Sequence, residues 1–180
     1  MNPCKALLPA IVAALLAPAI SQAALPAQPA TPLTTGSVRV DIASGRVEGD
    51  VCLSNSPATA QGHFVLNAGL NVARVTDGEG KPVGFDGWYD PGVDGEARVY
   101  TLAEPTPKLC VQYVGAFPLY PKHDALGDFK GMMAFNGDSA RFTEQSAWLP
   151  QAIDPKARVR SSQSRYDLQV DCAGCRFLYL

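Results

Sequence analysis

The chain has 180 residues, 47% of them hydrophobic and 18% charged, with 15 basic against 17 acidic side chains and a formal charge of −2. The two signs are interspersed, so there is no basic stripe to hold nucleic acid and no cationic face for an anionic membrane. Neither kind of partner is expected.

Lys5, a mostly apolar stretch over 6–20 and the small-x-small triplet Ser21-Gln22-Ala23 read as a signal peptide over 1–23, cleaved after Ala23. The stretch carries Pro9 and Pro18 and falls short of the roughly 20 apolar residues that cross a bilayer. No membrane span is expected after cleavage, and no lipid anchor either, since no cysteine borders the cut. The product is expected in the periplasm or secreted, with a charge of −3 once Lys5 is gone. Its length suits one compact domain and is short for two.

Residues 24–36, with Pro26, Pro29 and Pro32, form a flexible Pro/Ala/Thr-rich leader, and 37–180 form the domain. Alternating or β-branched runs predict strands over 37–42, 46–53, 63–66, 70–76, 98–102, 108–114, 131–135, 165–170 and 176–180. Asp77-Gly78-Glu79-Gly80 and Asn136-Gly137-Asp138 are turn signals of the hairpin kind. Only 122–129 and 138–145 could hold a short turn of helix, and no internal repeat is visible. The pattern predicts an all-β fold, an antiparallel two-sheet sandwich. Its last strand is expected to be an open edge that could receive a partner strand.

Cys4 leaves with the signal, and Cys52, Cys110, Cys172 and Cys175 remain. An even set in an exported chain suggests disulfides, and four cysteines allow three connectivities. Cys52 and Cys110 lie in two apolar strand-like runs, and Cys172 and Cys175 flank Ala173-Gly174. The favoured pairing is therefore Cys52 with Cys110 and Cys172 with Cys175. A redox role for the second pair would need a helix N-terminus, which flanking strands do not supply.

A catalytic zinc site needs three protein ligands, commonly with two histidines one helical turn apart. His63 and His123 lack that spacing, and no G-x-S-x-G element is present. No catalytic residue, metal site or cofactor is assigned. Asp86, Asp90, Asp94 and Glu96 lie among glycines without the ordered ligand spacing of a calcium loop, and read as a solvated loop. Trp88, Tyr89, Phe117, Tyr120 and Trp148 could form a contact surface if exposed together, or fill the core.

Three segments carry a resemblance. His63-Phe-Val-Leu-Asn-Ala-Gly-Leu-Asn-Val-Ala-Arg-Val-Thr-Asp-Gly78 is the first. Tyr100-Thr-Leu with Leu109-Cys-Val-Gln-Tyr-Val-Gly115 is the second. Phe142-Thr-Glu-Gln-Ser-Ala-Trp-Leu-Pro150 with Tyr166-Asp-Leu-Gln-Val170 is the third. In order and spacing they resemble the N-terminal β-domain of aminopeptidase N-like (gluzincin) zinc metallopeptidases, in a divergent bacterial branch, from about residue 46 to the end. The resemblance implies a saddle-like domain that covers the cleft of a catalytic domain carrying H-E-x-x-H, a motif not found in this sequence. It also implies that residues near Thr143-Glu144-Gln145 help recognise a peptide's amino group, although Trp148-Leu149-Pro150 replaces the family's usual continuation. Glu144 and Gln145 are the substrate-binding candidates.

The expected function is thus a non-catalytic exported domain acting by contact with a peptide or protein, such as a metallopeptidase catalytic domain, as a truncated or stand-alone homologue. The alternative is a periplasmic ligand-binding sandwich that stacks Trp88, Tyr89 and Tyr120 on a sugar or apolar compound.

Overall fold

The computed structural model describes residues 30–93, 96–120, 133–161 and 164–180. The signal peptide, most of the leader, Asp94, His123 and the possible helix over 122–129 lie outside them.

Three sheets contain all the named strands. The first runs in the order β12 (Arg165–Ala173), β1 (Leu33–Asp41), β2 (Arg46–Ser54), β7 (Lys108–Ala116), β4 (Leu70–Asp77). The second runs β11 (Val159–Ser161), β10 (Gln151–Asp154), β3 (His63–Asn67), β6 (Ala97–Leu102), β5 (Phe85–Tyr89). A small third sheet holds β13 (Phe177–Tyr179), β9 (Ser139–Arg141) and β8 (Ala134–Phe135). The two large sheets enclose the core in a sandwich-like arrangement, as the strand pattern predicts.

Strict alternation in β2 and β7 sends Val47, Val51, Leu53, Leu109, Val111 and Tyr113 inward, where they meet Phe64, Leu66, Tyr100 and Leu102 of the second sheet. β3 is buried on both faces, because Val65 joins Val99, Ala147 and Ile153 in a separate cluster. The first and second sheets are joined at a corner, Asn67-Ala68-Gly69-Leu70, so β3 and β4 do not pair with each other. Asn67 holds that corner: its Oδ1 accepts from the Gly69 amide at 2.8 Å, and its Nδ2 donates to the Ser146 carbonyl at 2.8 Å. A Cβ on Gly115 would run into the Gly69 carbonyl, so glycine is needed where β7 passes the corner.

Several expectations are corrected in detail. Two pairings are parallel, β1 with β12 and β9 with β13, where only antiparallel ones are predicted. β1 begins at Leu33, so the last residues read as leader are already strand. The final strand is paired along one side with β9, and among the described residues no strand pairs with its other side. Residues 138–145 hold β9 and then the start of a 3-10 helical turn, Glu144–Ser146, so the short turn of helix falls at the end of that stretch. One short helix does occur, α1 (Pro57–Gln61), between the Ser56 N-cap and a left-handed Gly62. Both turn signals hold. Asp77 Oδ1 accepts from the Glu79 and Lys81 amides, and Asn136 Oδ1 from those of Asp138 and Ser139.

Candidate functional site

The 3-10 turn is built by Thr143 and Ser146. The Thr143 hydroxyl accepts from the Ser146 amide at 3.3 Å, and the Ser146 hydroxyl accepts from the Thr143 amide at 3.2 Å, a reciprocal capping box. Ala147 then takes a left-handed conformation, φ 49°, and redirects the chain so that Trp148 and Leu149 turn inward. Further bonds fix the segment from both large sheets. The Asn67 amide donates to the Ala147 carbonyl at 2.8 Å, and the Tyr113 hydroxyl to the Trp148 carbonyl at 3.0 Å. Gln151 Nε2 donates to the Glu144 carbonyl at 2.8 Å. Glu144 and Gln145 therefore stand exposed on a well-anchored support.

Beside this turn lies a groove of about 450 Å³. Trp148 and Leu149 form one wall, and Tyr166, Leu168 and Val170 of β12 form the other. Leu180 also lines the groove, and Glu144 and Gln151 add a carboxylate and an amide. Glu144 and Gln151 also border an adjoining cleft of about 360 Å³ that contains Gln145, Arg158 and Arg160. Arg160 Nη1 donates to the Gln145 carbonyl at 3.0 Å, which ties two of the cleft's lining residues together. Burial, with a smaller contribution from the Glu144 carboxylate, raises the pKa of the Tyr166 phenol above its ordinary value. The groove thus combines an apolar trough with the exposed Glu144 carboxylate in its lining, a set of groups that can hold an apolar side chain and a cationic group together.

A larger trough, about 1270 Å³, is bordered by α1, Pro105–Pro107 and Arg165. Small and proline side chains dominate it, without the Leu, Val and aromatic side chains that line the groove.

The aromatic candidates do not converge. Trp88 and Tyr89 are both exposed, but as consecutive residues of β5 they face opposite sides of the second sheet. Tyr120 belongs with the third sheet, its amide donating to the Phe135 carbonyl at 2.8 Å. Trp148 is a core residue, 7% exposed and stacked on Phe142 with ring centroids 5.1 Å apart. Phe117 likewise stacks on Phe135.

The cysteines pair as favoured. Cys52–Cys110 joins directly opposed residues of β2 and β7, and Cys172–Cys175 closes the turn after β12, around a left-handed Gly174. His63 Nδ1 lies 2.9 Å from the Thr101 hydroxyl, across the β3–β6 pair. In the acidic loop, Asp90 is occupied by the Gly92 amide and by an ion pair with Arg158 at 3.3 Å. Among the described residues, no group of three or more His, Cys, Asp or Glu side chains gathers where it could hold a metal. No helix among them is long and apolar enough to cross a membrane.

Sequence reading locates Glu144 and Trp148 but misses Leu149, Gln151, Tyr166, Leu168, Val170 and Leu180 as parts of one site. The alternation Tyr166-x-Leu168-x-Val170 was the available signal, since it marks an apolar face. Nothing in the pattern shows that this face lies at a sheet edge.

Fold and site together define an all-β two-sheet sandwich with an apolar groove along one open side. No family model matches the chain, and no curated protein does. Among solved structures, it is similar to yeast LTA4 hydrolase, determined in complex with bestatin, at 18% sequence identity and a TM-score of 0.29. The match covers 47% of this chain and 14% of that one. A score this low carries no argument about family or activity.

Proposed function

We propose that this chain is a non-catalytic, exported contact domain that binds an extended peptide or protein segment in the groove between β12 and the 144–149 turn. One observation carries the reading: an apolar trough with the exposed Glu144 in its lining, on a support tied to both large sheets. The three sequence segments that resemble the N-terminal domain of aminopeptidase N-like metallopeptidases support the same reading, because that domain covers a catalytic cleft and orients a peptide. In this reading Tyr166, Leu168 and Val170 receive an apolar side chain beside the largely buried Trp148 and Leu149, and the Glu144 carboxylate pairs with the peptide's amino group. Gln145 lines the approach, and the partner is a peptide or a protein such as a metallopeptidase catalytic domain.

Calorimetric titration with short apolar peptides, with free and with acetylated N-termini, tests this. The free-amine peptide is expected to bind more tightly. Glu144→Gln should remove the difference between the two, a loss of about 1 kcal/mol for a solvent-accessible ion pair. Equal affinities in the unaltered chain would contradict the role of Glu144. Cleavage of the peptides by the purified chain alone would contradict the non-catalytic reading.

A further inference from the structure

β12 is bounded by β1 on one side and, among the described residues, by no strand on the other. The Arg165 amide donates to the Pro32 carbonyl at 2.8 Å, and the Ala173 carbonyl accepts from the Ile42 amide at 3.2 Å. Odd-numbered residues of β12 therefore turn their backbone groups toward β1, and Leu168 and Val170 present theirs to the open side. An edge of nine residues with outward amides and carbonyls is a template for another strand.

The charges along the edge say which strand fits. Arg165, Asp167, Gln169 and Asp171 occupy its exposed face. Among the described residues neither Arg165 nor Asp171 forms an ion pair within the chain, although Arg39 stands beside Asp171 in the β1–β12 register. Among the described residues, Asp171 accepts one side-chain bond, from Gln169 at 3.3 Å.

We propose that two copies of this chain associate by antiparallel pairing of their β12 edges, with Leu168 opposite its counterpart. In that register each Arg165 faces the second copy's Asp171, and Asp167 faces Gln169, so opposite charges meet twice about one two-fold axis. Moving the axis one residue toward Gln169 sets Asp167 against Asp171 twice. Moving it one residue the other way sets Asp167 against itself. An axis at Tyr166 joins Arg165 to Asp167 but overlaps far less of the strand. Leu168 and Val170 of the second copy then continue the apolar wall of the groove. The pairing goes beyond the contact reading and does not depend on it.

Sedimentation equilibrium of the purified chain, from micromolar to millimolar concentration, tests the pairing. A dimer is expected, and Asp171→Arg should weaken it by about tenfold or more, because like charges then face each other twice. Adding Arg165→Asp to that variant should restore association, which a merely structural role of either residue would not do. Leu168→Pro removes the amide at the axis and should yield a monomer with an unchanged circular dichroism spectrum. If that variant fails to fold, the charge exchange still decides. A monomer throughout the range, a dimer indifferent to Asp171→Arg, or a loss that the double exchange does not restore would overturn the proposal. A monomer that still binds the free-amine peptide would overturn the pairing while leaving the contact reading intact. A dimer that binds no peptide would do the reverse.

Discussion

β2 and β12 are both nine-residue strands of the same sheet with alternating side chains, yet they end in different physical states. Val47, Val51 and Leu53 of β2 lie at 3% exposure or less, between two sheets. Leu168, Val170 and Cys172 of β12 point the same way but stay only half-covered, because the opposing layer there is the 144–149 turn and a groove. Alternation sets which face is apolar. Position in the sheet sets whether that face is saturated by the fold or left with capacity to bind.

The widest separation between the two regions should appear when their disulfides are removed. Cys52–Cys110 joins residues 58 positions apart, and in the loop-entropy account its loss costs about 4 kcal/mol. Cys172–Cys175 spans 3 positions at the end of β12, and its loss costs about 2 kcal/mol on the same account. Urea denaturation of the two double serine variants checks the order. Equal losses would show that the centre owes nothing special to its bridge.

A smaller effect is expected at Gly49, which lies directly opposite Tyr113 in the β2–β7 pair. The Tyr113 ring covers the place a Cβ would take, so Gly49→Ala must displace the ring or the strand, at a cost of about 2 kcal/mol. The change should also loosen the groove, since Tyr113 carries the bond to the Trp148 carbonyl. Thermal unfolding and peptide titration of the same variant measure both consequences. A stable variant with weakened binding would place Tyr113 with the site more than with the core.

The smallest effect concerns that hydroxyl alone. Tyr113→Phe removes one buried hydrogen bond, worth about 1 kcal/mol. Burial holds the Tyr113 phenol well above the ordinary tyrosine range. The folded chain therefore keeps a proton that the unfolded chain releases. Stability is fully present below the ordinary tyrosine value and is lost as pH climbs beyond it. Tyr166 acts in the same direction with less burial. Tyr113→Phe should flatten the alkaline limb of a pH–stability curve, and an unchanged limb would assign it to other groups.

The sandwich was legible where local chemistry is strict. The period of two in β2 and β7, and the turns at Asp77 and Asn136, follow from residues near one another in the chain. Parallel pairing of β1 with β12 joins distant residues, and no local pattern encodes it. β5 was hidden among glycines and acidic residues that disfavour strands. Its Gly87 is tolerated because the Tyr100 ring packs over it from β6. The site was half-visible for a similar reason. Glu144 enters through the family resemblance and Trp148 stands out by type, whereas Leu168 and Val170 look like ordinary core residues until the sheet order exposes them.

Amide chemical-shift mapping during titration with the free-amine peptide tests the central claim most directly. The shifts should fall on Glu144, Gln145, Trp148, Leu149, Gln151 and residues 166–170, with the peptide recovered intact. Shifts centred on Trp88 and Tyr89 of β5, or a cleaved peptide, would contradict it.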